Sequence, residues 1–201
     1  MCSTETLDQA EKARGLIKHF RLDIEESVAI RTFLLAASSA SLTEAFIKGK
    51  SHLHNLIGNA LLQRQLMLLM RLYDIESRDR ACLARLFSLL RVSEVRQSIT
   101  TDGGEPAIRA ATELWDSLRN DPRKALLRAM RDTVSAHNLL ARRPELAPIT
   151  YDEFWKFSRD TEKLVEYLAF GSGVAAVSLD AVEKVWSERA DEYWRQVTHR
   201  S

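Results

Sequence analysis

The sequence predicts an all-α fold, an up-down bundle of about six to eight helices, and three observations carry that reading. The chain has 7 glycines and 4 prolines in 201 residues, well under the roughly 12% of ordinary usage, so a fold rich in turns is excluded. All four prolines follow Glu105, which leaves the first half without the residue that breaks helices. Apolar residues recur there at spacings of three and four, the period that gathers them on one helical face. With 45% hydrophobic and 28% charged residues, the chain has enough apolar surface to offset the entropy of ordering. Its length suits a single helical domain over residues 1–201.

The elements follow in order. The opening MCSTETLDQAEK is polar and lacks the apolar stretch of a signal peptide. N-terminal helices are expected over residues 5–48. One of them runs from about Leu22 to Lys48, opened by Asp23, Glu25 and Glu26 where the helix dipole favours negative charge, with Ile24, Val28, Leu35 and Leu42 as its stripe. The next starts near Ser51 and carries Leu53, Leu56, Ile57, Leu61, Leu68 and Leu69, a face wide enough to make it the expected central core helix. A charged break from Asp74 to Arg80 precedes a short helix with Leu83, Leu86, Phe87 and Leu90, for which Ser77 is the expected cap. The stretch from Ser98 to Pro106 reads as a loop. Asp121 before Pro122 marks a helix start, because aspartate accepts from exposed amides and proline suits the first turn; Pro144 and Pro148 stop that helix. Thr150 and Glu153 spell a capping box ahead of Phe154 to Ala169, which Gly171 and Gly173 end. A last helix over residues 178–197 carries Val182, Val185, Trp186, Tyr193 and Trp194, aromatics read as packing or dimer contacts.

Several function classes fall away. The balance of 29 basic and 28 acidic residues gives a net charge of +1, too little for a global field that would coat a polyanion. No apolar run reaches the roughly 18 residues of a membrane span. Cys2 and Cys82 cannot build a disulfide framework, so a cytoplasmic location with free thiols is expected. His52 and His54 stand two apart on different faces and make a poor metal pair, and no metal or other cofactor is expected.

The charge is nevertheless uneven. From Arg119 to Arg143 seven basic residues face two acidic ones, so this window is +5 and the remainder −4. Such a patch attracts phosphates and supports a polyanion as the partner, with salt-dependent binding. It contains Arg128, Arg131, Asp132, Ser135, His137 and Asn138 in LLRAMRDTVSAHNLL. Arg14 and His19 repeat the arginine–histidine spacing, but on the first, terminal helix rather than on an internal one bracketed by prolines.

In this stretch the chain resembles the HEPN superfamily, and more narrowly its AbiU2-like, abortive-infection branch. LLMRLYDIESRDRACLARLFSLL upstream is similar to the family's core helix, charged turn and next helix; APITYDEFWKFSRDTEKLVEYL downstream is similar to the helix after the motif. The resemblance covers about residues 53–168. It implies a helical bundle carrying an arginine, a neighbouring polar residue and a histidine, here Arg131, Asp132 and His137. It further implies a metal-independent endoribonuclease acting as a toxin or antiphage effector on RNA, whether tRNA or mRNA, with two copies dimerising so that their motifs form one cleft. An antitoxin or regulatory partner is left open. Toxins of this superfamily that are controlled by tyrosine modification carry the tyrosine two residues after the histidine; Leu139 stands there, so that control is not expected.

The residue chemistry agrees. Histidine titrates where a proton must move to or from the 2′-hydroxyl or the leaving oxygen, which suits His137. Arginine offers a planar fork that keeps its proton against the charge on a phosphorane, which suits Arg131. Asp132 could orient either group, and Ser135 and Asn138 could support them. Arg128, with Arg123 and Lys124, could hold neighbouring phosphates; Asp74, Arg78 and Asp79 are read as turn and surface ion pairs, although the resemblance leaves open that Arg71 or Asp74 supports the motif helix from behind. Six residues place His137 roughly 120° around the helix from Arg131, so a site needs a long arginine reaching round, a local distortion near Ser135, or a partner helix, which a two-fold dimer would supply. Two alternatives stand beside this reading: a non-catalytic helical module that binds RNA or protein, and a regulatory dimer joined through the aromatic C-terminal helix.

Overall fold

The computed structural model describes residues 4–37, 51–74, 81–135 and 149–199. These form eight helices and, among the described residues, no strand: α1 (Thr4–Ala37), α2 (Ser51–Leu72), α3 (Leu83–Leu90), α4 (Ser93–Ile99), α5 (Glu105–Leu118), α6 (Arg123–Ser135), α7 (Tyr151–Gly171) and α8 (Leu179–His199). No helix among them is long and apolar enough to cross a membrane.

Two expectations about the first half are corrected. Helix α1 runs unbroken through Leu22, where the acidic run suggested a new start. The acidic residues serve sideways pairs instead of a helix terminus. Asp23 accepts from Arg71 and Glu26 from Arg64, both on α2, while Glu25 takes Arg21 of its own helix. The expected central helix, α2, is buried mainly at its C-terminal end, where Leu66, Leu69, Met70 and Leu72 enter the core; Leu56 is exposed. The centre belongs to α1 and α7. Ala10, Ala13, Ile17, Phe20, Ile24 and Val28 form a stripe at three- and four-residue spacing along α1, fully buried against α2, α3, α4, α7 and α8. Phe154, Phe157, Leu164, Val165 and Leu168 do the same along α7.

The capping signals of the second half that fall on described residues hold, while the stop expected at Pro144 and Pro148 lies outside them. Asp121 accepts the Arg123 amide at 2.8 Å just before α6. Thr150 and Glu153 complete a capping box on α7, and Gly173 follows that helix with φ of +68°, a conformation that side chains disfavour. Ser178 accepts from the Ala181 amide at the start of α8, and Glu166 of α7 takes the Leu179 amide at 2.7 Å. Where α5 begins beside the end of α7, a Cβ on Gly104 would collide with the carbonyl oxygen of Gly171, so the close approach of these two helices requires glycine. Helix α3 starts after Cys82, which makes no side-chain cap bond; Ser77 and Leu42 lie outside the described residues. On α8, Trp194 is buried against Phe33 of α1, whereas Trp186 and Tyr193 are partly exposed.

Candidate functional site

Helix α6 crosses the C-terminal end of α2, and its first two basic residues are committed to that placement. Arg123 donates to both Asp121 oxygens at 3.0 Å and to Asp160 of α7 at 3.4 Å, with its guanidinium over the Phe157 ring. Burial disfavours the Asp121 carboxylate, but the hydrogen bonds and charge of Arg123 outweigh it and hold the pKa below the ordinary aspartate range. Lys124 donates to the Arg119 carbonyl and lies 5.7 Å from the centre of the Tyr73 ring. Burial, with Arg128 nearby, pushes its ammonium below the ordinary lysine value.

One and two turns further on, the helix turns towards solvent. Arg128 is exposed and reaches the Tyr73 carbonyl at 3.4 Å. Arg131 donates to Asp74, just past the end of α2, at 3.2 Å. The charged break after α2 thus supplies an ion pair to α6. Arg131 and Asp74 also line a cleft of about 250 Å³ with Arg64, Met67, Leu68 and Arg71. The four α2 residues stand at intervals of three, one and three, one face of that helix, and Met67 is 45% exposed. An apolar strip thus runs between guanidinium groups beside the motif arginine.

Asp132 and Ser135 belong to the last turns of α6. His137 and Asn138 lie outside the described residues. Among the described residues no three His, Cys, Asp or Glu side chains gather as a metal ion would need.

A second polar assembly escaped the sequence reading. Arg31 of α1 donates to Glu162 of α7 at 2.9 Å and to Glu183 of α8 at 2.8 Å. Ser27 and Ser158 donate to the other Glu162 oxygen at 3.0 and 2.9 Å, and the Gln65 amide of α2 donates to both hydroxyls. Four helices meet in this network. Burial works against the Arg31 charge, but its bonds to Glu183 and the pull of Glu162 outweigh that and raise its pKa. The signal was present: Ser27 and Arg31 continue the stripe of Phe20, Ile24 and Val28, and a charge at a core position of a helix implies a buried partner.

The all-helical fold and the family comparison together define a HEPN bundle, in which Arg131 of α6 is paired with Asp74 just past the end of α2. Within that class the chain belongs to the AbiU2 family, whose model matches residues 11–191. The match takes in α1 and most of α8, a wider span than residues 53–168, in keeping with the central place of α1. Comparisons with curated proteins and with solved structures found no match.

Proposed function

We propose that this protein is a metal-independent endoribonuclease of the HEPN type, acting on RNA as a toxin or as an antiphage or stress effector. The observation that carries the proposal is Arg131, held by Asp74 at the edge of an open cleft, with the exposed Arg128 one turn away on the same helix. A braced guanidinium beside open space can meet the charge that grows on the phosphorane without reorganising. Arg128 is placed to take a neighbouring phosphate. Arg123 and Lys124, engaged by Asp121 and by the Arg119 carbonyl, hold the start of the helix and add positive field to the phosphate path. His137 supplies the proton transfer, with Asp132 orienting it or the guanidinium. Because Arg131 and His137 differ by roughly 120° around a helix, the proposal includes a two-fold homodimer in which two motifs share one cleft.

Cleavage of total RNA in the presence of a chelator, comparing the native chain with Arg131→Ala and His137→Ala, tests this. New RNA ends from the native chain that both variants abolish are expected. Equal cleavage by all three would overturn the assignment. Salt-sensitive binding without new ends would leave a helical RNA-binding module in its place.

A further inference from the structure

Away from the cleft at Arg131, a hollow of about 340 Å³ opens between α3, α4 and α5, within the roughly 300–1,000 Å³ of ligand pockets. Phe87 and Trp115, both buried, form its floor and stack in parallel with centroids 4.9 Å apart. Arg91, Arg96 and Arg119 stand around it, with Asp116 the one carboxylate among the lining residues. Three cations gathered over apolar floor repel one another unless an anion joins them.

The donors in this hollow are incompletely used. Arg119 meets Asp116 at 3.2 Å. Arg96 approaches Glu105 at 3.6 Å, beyond hydrogen-bond length, and its Nε is buried without a partner. Arg91 is exposed, and among the described residues no carboxylate pairs with it. A phosphate, with several acceptor oxygens and negative charge, fits such a set of guanidinium forks.

The hollow is also joined to the motif helix. Lys124, Arg128 and Arg131 follow one another at four and three residues on one face of α6, and Lys124 reaches the carbonyl of Arg119 at the edge of the hollow. Seven residues, about 10 Å of helix, separate Arg131 from that junction. On the inner side Trp115 stacks on Tyr73 at 6.2 Å, whose carbonyl takes Arg128. We propose that the hollow is an anchoring subsite for a backbone phosphate of the same single RNA strand whose scissile phosphate lies at Arg131. This rests on the reading of RNA as substrate. A single strand is favoured because an apolar floor of aromatic rings suits an unstacked base, which a duplex does not offer.

Fluorescence anisotropy of the full chain with an uncleavable 2′-O-methyl RNA of about sixteen nucleotides tests it. Arg91→Ala combined with Arg96→Gln should weaken binding by about tenfold. The slope of log affinity against log salt should fall by about 0.7 for each phosphate that is no longer neutralised. Arg91→Ala alone, at an exposed position, should show the same direction, and Arg91→Lys should restore most of the salt slope. Unchanged affinity and slope in these variants would overturn the subsite. So would inorganic phosphate or a mononucleotide binding in an Arg91-dependent way while RNA binding stays native. The two readings separate cleanly: a native chain that cuts RNA while Arg91→Ala binds like native keeps the nuclease and sinks the subsite. Arg91-dependent binding without new RNA ends keeps the subsite and sinks the nuclease.

Discussion

Arg31 and Arg131 make similar contacts in different surroundings. Each grips a carboxylate contributed from far along the chain, Glu162 in one case and Asp74 in the other, at 2.9 and 3.2 Å. The side chains of Arg31 and Glu162 are 3% and 5% exposed; those of Arg131 and Asp74 are 23% and 26% exposed. Around Arg31 the Ser27 and Ser158 hydroxyls donate to Glu162, the Gln65 amide of α2 donates to both hydroxyls, and Glu183 of α8 accepts from Arg31 itself. Around Arg131 there is an open cleft. An arginine–carboxylate pair is therefore neither structural nor functional by its chemistry alone. Burial decides whether the guanidinium is spent on holding helices together or stays presented to a ligand.

The largest effect should come from breaking the buried pair. Arg31→Ala leaves Glu162 uncompensated in the core and should cost about 3–5 kcal/mol of stability, measured by urea unfolding. Replacing both partners, Arg31→Met with Glu162→Leu, should recover most of that loss, because no buried charge then stands alone. If the double variant is as unstable as the single one, the network matters for its hydrogen bonds and not for charge pairing.

Next comes the brace at the cleft. Asp74→Asn should lower the rate of RNA cleavage between about tenfold and a hundredfold through a misplaced guanidinium. Its stability should change by less than about 1 kcal/mol, and steady-state cleavage alongside thermal melts reads both. A fall in stability like that of Arg31→Ala would erase the contrast between the two regions.

A smaller effect concerns acid. The hydrogen bond from Arg31 holds the Glu183 carboxyl below the ordinary glutamate range, although partial burial pulls the other way. A carboxylate depressed in the folded state stabilises the fold above its unfolded pKa, about 4.3, and that contribution disappears as pH falls through the folded value. The stability difference between the native chain and Glu183→Gln should therefore stay level from neutral pH to about pH 5 and shrink below about pH 4. Thermal melts across that range decide it; a difference that widens on acidification would show that Arg31 does not hold this carboxyl in its charged form.

The smallest effect should be Glu26→Gln. Arg64 lowers the Glu26 pKa chiefly by hydrogen bonding to it, but both side chains are largely exposed, so unfolding free energy should move by less than about 1 kcal/mol.

What could be read from the sequence follows the same division between near and far. Asp121 with Pro122, and Thr150 with Glu153, are recognisable because the capping chemistry closes within three residues. The +5 window locates the motif helix, but a count of charges does not show what Arg123 and Lys124 touch: besides Asp121 and the Arg119 carbonyl close by, they meet Asp160 and the Tyr73 ring, both distant along the chain. The unbroken length of α1 was hidden for a related reason. Asp23, Glu25 and Glu26 resemble a helix start until Arg71 and Arg64, far along the chain, are seen to claim two of them. Arg31 depends on partners more than a hundred residues away. Of the candidate site, Arg131 is legible from its spacing to His137, but its ion pair with Asp74 and the hollow assembled between α3, α4 and α5 come from contacts far apart in the chain.

The contact between α1 and α8 sets the order of events during synthesis. The first helix packs most extensively against the last, with the Trp194 indole donating to the Phe33 carbonyl and Arg31 reaching Glu183. Pairings so distant along the chain bring their energy only after a long loop has closed, which slows folding. While α8 is still in the ribosome tunnel, Phe33 lacks its cover from Trp194 and Arg31 lacks one of its two carboxylates. The α1–α8 contact therefore forms only once α8 has been made.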